Sequence, residues 1–129
     1  LYAAGIVFND GGEYPVTTGV FDEEINGGDS NPFANYVSYG FDVAISKFNE
    51  DGSELLFATY LGGAGNETPH SLVVDGNDNL YLLGATSSNN FPTSNGCFDN
   101  TFNGGSPELN NNLYFTASDI FISKITTSN

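Results

Sequence analysis

Apolar residues along this chain come in short blocks of five to eight, broken by Gly, Asn and Asp. Residues 41–48 (Phe-Asp-Val-Ala-Ile-Ser-Lys-Phe) carry apolar groups on both faces of an extended strand. Asn49-Glu50-Asp51-Gly52 supplies hairpin-turn residues, with Gly where a positive φ is wanted. Residues 54–61 form a second strand, and Gly62-Gly63-Ala64-Gly65 breaks it. Residues 70–74 form a third strand, Asp75–Asn79 a tight turn, and residues 80–86 a fourth. Such blocks predict an all-β chain with four short strands per unit, paired antiparallel in chain order. Strand 119–125 is expected to open the next sheet beside the first. Val43, Ile45, Phe57, Val73 and Leu82 are the expected core. Strands that are apolar on both faces suit a sheet sandwiched between like sheets, as in a propeller blade or a stacked β array.

The blocks repeat. Leu1–Gly5 matches Leu80–Gly84 at an offset of 79. Tyr14-Pro15, Gly19–Asp22, Asn26–Gly28 and Asp42–Phe48 match Phe91-Pro92, Gly96–Asp99, Asn103–Gly105 and Asp119–Ile125 at 77. The two basic residues, Lys47 and Lys124, share one repeat position. The 129 residues therefore hold about 1.7 repeats of about 77 residues. The expected division is 1–40 as the end of one blade with a long loop, 41–118 as one full blade with its long loop, and 119–129 as the first strand of the next. Repeat units bury their cores against their neighbours. Further repeats of the same polypeptide, or other subunits, are thus the expected partners.

Charge narrows the function classes. Sixteen acidic and two basic residues give a formal charge of −14, which disfavours nucleic acid and anionic lipid as partners. No apolar run approaches the 18 or so residues of a membrane-spanning helix. The chain opens at Leu1 without a basic-plus-apolar leader, which reads as a mature chain or a fragment.

Candidate chemistry is sparse. Asp75-Gly-Asn77-Asp-Asn79 resembles the start of an EF-hand loop. However, Leu80 stands where that loop needs Gly, and Thr86 where it needs Glu. The turn reads first as Asx-and-Gly hairpin chemistry. A looser Ca²⁺ site on Asp75, Asn77 and Asn79, or on Asn49, Asp51 and Glu54, is the alternative, and no other cofactor is expected. His70 has no second His or Cys pair with which to build a transition-metal site. Cys97 aligns with Val20 and is expected to be a small apolar core residue. The recurring acids Asp22/Asp99 and Asp42/Asp119 suggest a structural duty, either holding loop amides or pairing the two lysines. The long loops carry Phe33, Tyr36 and Tyr39 in the first copy and Tyr114 and Phe115 in the second. Exposed rings beside Asn and Asp suit a glycan or a protein ligand, and otherwise they cap the blade edge.

The string Asp42–Phe48, then Gly52, then Leu56-Phe-Ala-Thr-Tyr-Leu-Gly-Gly63 resembles the SBBP-type β-propeller repeat. Leu72–Asp75, Gly76-Asn77, Leu80-Tyr81, Gly84, Thr86-Ser87 and Phe91-Pro92-Thr93 continue it in order. In the first copy Tyr14-Pro15-Val16 departs from the family's Phe-Pro-Thr. The resemblance implies a propeller of four-stranded blades in a secreted bacterial cell-surface protein, of the kind found in gliding-type adhesins with a type IX secretion route. It brings no catalytic residues. It implies a non-enzymatic role in adhesion or scaffolding, with a lectin-like, Ca²⁺-dependent glycan binder as the alternative.

Overall fold

The computed structural model describes residues 1–10, 12–27, 40–105, 108–110, 113–115 and 118–127. The described residues form eight strands: β1 (Tyr2–Phe8), β2 (Phe41–Phe48), β3 (Leu55–Leu61), β4 (Glu67–Val74), β5 (Asn79–Thr86), β6 (Glu108–Asn110), β7 (Leu113–Phe115) and β8 (Asp119–Thr126). No helix occurs among the described residues. The all-β expectation holds.

Both hairpins form at the turns read from the sequence. β2 and β3 pair antiparallel around a turn in which Gly52 has φ +76°. The Asn49 N–H donates to the Glu54 carbonyl across its base (3.0 Å). β4 and β5 pair antiparallel around Asp75–Asn79.

The sheets, however, do not follow chain order. β1-β2-β3 form one three-stranded sheet and β4-β5-β8 a second, while β6-β7 form a small separate hairpin. The four strands expected in one sheet are split between β3 and β4. β8 lies against β5 at the edge of the second sheet, joining it rather than opening a further sheet. Gly62–Asn66 carries the chain out of one sheet and into the next. Each sheet therefore joins the last strand of one repeat to the first strand of the following repeat, across the long connection. The registers agree: Tyr2 opposes Lys47 and Ala4 opposes Ile45, just as Tyr81 opposes Lys124 and Leu83 opposes Ile122.

The core lies between the two sheets. Val43, Ile45 and Leu61 from the first meet Leu80, Leu82 and Phe121 from the second. Tyr2, Ala4, Phe57 and Leu72 pack around them, half-buried. Each fully buried aliphatic side chain stabilises the fold by about 1.5–3 kcal/mol relative to exposure. Four of the five predicted core positions thus lie in or against the core.

Val73 is the exception, at 61% exposed. The register of β4 shifts between Pro69 and Ser71, which leaves His70 as an extra residue. Such a bulge switches strand parity. Glu67 and Pro69 point inward before it, and Leu72 and Val74 take that face after it. Val73 consequently turns to the far side, opposite Tyr81.

A second set of contacts ties the sheets at the turn end. The Tyr2 hydroxyl meets Thr127 Oγ1 (2.7 Å) and Asp78 Oδ1 (3.0 Å). Lys47 Nζ pairs with the Asp78 carboxylate and donates to Thr127 Oγ1 (3.1 Å). Lys47 also sits over the Tyr2 ring, as Lys124 does over Tyr81.

Candidate functional site

The first sheet shows how a repeat is completed. On one side of β3 runs the β2 ladder, and on the other runs the connection from β1. The Thr17 N–H donates to the Ala58 carbonyl (3.0 Å), and the Tyr60 N–H donates to the Asp22 carbonyl (3.1 Å). The Asp22 N–H donates to Thr59 Oγ1 (3.0 Å), and Tyr14 packs on Tyr60 with ring centroids 5.5 Å apart. β3 is thus clasped along both edges.

In the second sheet the counterpart of β2 is β8, and the counterpart of the connection is 91–103. Between them lies a cavity of about 820 Å³, bordered by Phe91, Pro92, Cys97, Asp99, Phe121 and Ser123. Its repeat counterpart in the first sheet is the space that β3 fills. Phe91, the counterpart of Tyr14, stacks instead on Phe121, with centroids 4.6 Å apart. This opening explains Cys97. The residue expected in the core is exposed on the rim of the cavity, where its Sγ reaches the Asp99 carbonyl (3.4 Å).

The outer face of the second sheet shows the same relation. Val43 and Ile45 are 0% exposed beneath the second sheet. Their repeat counterparts, Ile120 and Ile122, are 79% and 76% exposed. Val73 and Leu83 are exposed as well. Leu83 faces Ile122 across the β5–β8 ladder, and Val73 lies opposite Tyr81 on β4, so the four make one apolar strip across three strands.

The recurring acids hold loop amides, as one of the two sequence readings has it. Asp42 Oδ2 accepts from the Asn26 N–H (2.8 Å), and Asp119 Oδ2 accepts from the Asn103 N–H. Asp22 Oδ1 and Asp99 Oδ1 each accept from the amide two residues on. Lys47 pairs with Asp78 rather than with either recurring acid.

The Asp75 turn is stapled by its own carboxylate. Asp75 Oδ1 accepts from the Asn77 N–H (2.9 Å), the Asn79 N–H (3.0 Å) and Asn79 Nδ2 (3.1 Å). Asp75 Oδ2 accepts from Asn79 Nδ2 (2.8 Å) and the Tyr81 hydroxyl (3.2 Å). Donors from Asn79 first, then Asn77 and Tyr81, hold the carboxyl down at about 2. Among the described residues, no three of His, Cys, Asp and Glu gather in a metal-binding group. His70 is the exposed bulge residue, within reach of Thr68 Oγ1 (3.2 Å). Phe33, Tyr36 and Tyr39 lie outside the described residues. Tyr114 and Phe115 lie on β7, where only the backbone is described.

A group absent from the sequence reading lies at the joint between the sheets. Glu67, at the start of β4, is 0% exposed. Its Oε1 accepts from Thr86 Oγ1 (2.5 Å) and Ser88 Oγ (2.6 Å), and its Oε2 from the Gly63 N–H (3.0 Å). Asp42, on β2 of the other sheet, is also 0% exposed. Gly62 lets the two acids approach. A Cβ there would run into the Asp42 carboxyl and lie 2.7 Å from Glu67 Oε2.

The described residues thus form two three-stranded sheets packed face to face, with one slot and one apolar face left open. Residues 56–92 match the family model described as SBBP, beta-propeller repeat. That segment, spanning β3, β4, β5 and the start of the following connection, is therefore similar to an SBBP-type repeat. No curated protein matches the chain. No solved structure matches it.

Proposed function

We propose that this chain is a non-enzymatic repeat module whose work is to stack on like modules, as part of the scaffold of a secreted bacterial cell-surface protein. The observation that carries the stacking is the contrast at one repeat position: Val43 and Ile45 are covered, and Ile120 and Ile122 are bare. The occupant of the open face is a further sheet of the same kind, presenting residues equivalent to Leu80 and Leu82. The occupant of the slot beside β8 is a strand equivalent to β3, which completes a four-stranded blade in the order β4-β5-β8-β3′. One further repeat supplies both. The interface is head-to-tail, since the covering face and the covered face differ, so it extends an array or closes a ring. The surface location and the role in adhesion rest on the family resemblance.

The test is association. The chain at micromolar concentration self-associates in sedimentation, and Ile120→Asp/Ile122→Asp returns it to a monomer while the far-ultraviolet β signal is kept. A wild-type chain that stays monomeric and melts cooperatively would overturn the proposal.

A further inference from the structure

We propose that Asp42 and Glu67 hold a single proton between them across the joint of the two sheets, so that the joint loosens as the pH rises. The inference stands on the geometry of the joint and not on the stacking role.

The argument begins with Asp42 Oδ1. The oxygen is buried, and among the described residues no donor reaches it. Its partner Oδ2 is held by the Asn26 N–H. The group facing Oδ1 past Gly62 is the Glu67 carboxyl, whose oxygens are themselves engaged by Thr86, Ser88 and Gly63. All three of these partners donate, so both Glu67 oxygens act as acceptors. Two carboxylates in contact away from solvent repel strongly. One proton on Asp42 turns that repulsion into an O–H···O⁻ hydrogen bond, which is among the stronger kinds. It also gives Oδ1 the partner it otherwise lacks.

The other groups around Asp42 push the same way. Among the described residues, Asp22, on the connection along the β3 edge, and Tyr60 on β3 are the further titratable neighbours, and neither offers a positive charge. Burial, first, and then the Glu67 and Asp22 charges raise the Asp42 carboxyl to about 7, against the pull of the Asn26 N–H. The sign follows from this direction. Between the ordinary carboxylate value of 3.8 and about 7 the folded chain binds a proton that the unfolded chain has lost. Stability from this group is fully present below about pH 4 and falls as the pH rises through about 7.

The same half-site recurs. Asp119 accepts from the Asn103 N–H as Asp42 does from Asn26, and it lies half-exposed beside the open slot. A further repeat bringing a Glu at the Glu67 position would complete a second shared-proton joint there.

The experiment uses the full 129-residue chain. Infrared difference spectra between pH 5 and pH 8 read the C=O band of a protonated carboxyl directly. Wild type is expected to show that band persisting at pH 6 and disappearing by pH 8. Asp42→Asn and Glu67→Gln, each of which supplies an N–H in place of the proton, are expected to lack it. The melting temperature of wild type is expected to fall by several degrees from pH 5 to pH 8, and that slope is lost in either variant. If a variant does not fold, the wild-type spectrum decides alone. No protonated carboxyl at pH 6 would overturn the proposal. So would a melting temperature raised by added Ca²⁺ in wild type but not in Asp42→Asn, which would give the gap to a cation instead.

Discussion

Gly62 shows how one small residue fixes the distance between two sheets. The point where its Cβ would stand is taken by the carboxyl groups of Asp42 and Glu67, one from each sheet. Gly62→Ala forces at least one of them away from its hydrogen bonds. Overpacking of this kind costs about 1–3 kcal/mol. Urea denaturation should show a loss in that range, and a change within about 0.5 kcal/mol would mean that the joint has slack. Nothing in the sequence pairs these two acids. Asp42 sits in a strand and Glu67 follows a glycine-rich break, and the only sign is that Asp42 recurs as Asp119. The recurrence showed a structural duty, and the Asn26 and Asn103 amides supply it. The facing Glu67 depends on a fold across the break, which no local pattern encodes.

At the scale of strands, alternation and turn chemistry located the hairpins well. Gly52 and the Asp75–Asn79 turn stand where the sequence puts them, and the strand bounds differ by no more than three residues. Two features escaped. The first is sheet membership: neighbouring strands usually pair, so β3 and β4 were read together, but Gly62–Asn66 leads between layers instead of turning back. The second is the bulge at His70, which swaps the inward face of β4 partway along. A run such as Ser-Leu-Val-Val offers an apolar residue to either parity, so the pattern cannot show the slip. The swap has a measurable result. Leu82→Ala, in the core, should cost about 2–5 kcal/mol. Val73→Ser should stay within about 0.5 kcal/mol of wild type, because an exposed position away from caps and pairs carries little. A Val73→Ser loss as large as that of Leu82→Ala would place Val73 on the core side after all.

For the whole molecule, the decisive quantity is how much apolar surface the second sheet leaves bare. Ile120, Ile122, Val73 and Leu83 form a strip that has the composition of a core and the exposure of a surface. Strips of this kind mark sites of association. The internal repeat makes further copies the expected partners. It does not show where they attach, because that depends on which sheet β8 joins. Covering the strip and filling the slot should stabilise the chain by mass action. Two copies joined head-to-tail in one polypeptide should therefore melt at a higher temperature than one copy at equal mass concentration, with the gain removed by Ile120→Asp/Ile122→Asp in the first copy. Equal melting temperatures would mean that the strip stays wet in the longer chain.

The staggering of repeat and sheet also bears on how such a chain could change its length. Each sheet is laid like a course of bricks over the joint between two successive repeats, with the same register on both sides. Removing or inserting 77 or so residues, starting at any point along the repeat, leaves every joint spanned and every register intact. A gene encoding such an array could gain or lose units by unequal exchange without the crossover having to fall at a domain boundary. The protein that results would differ in reach, while its interior surfaces stayed the same.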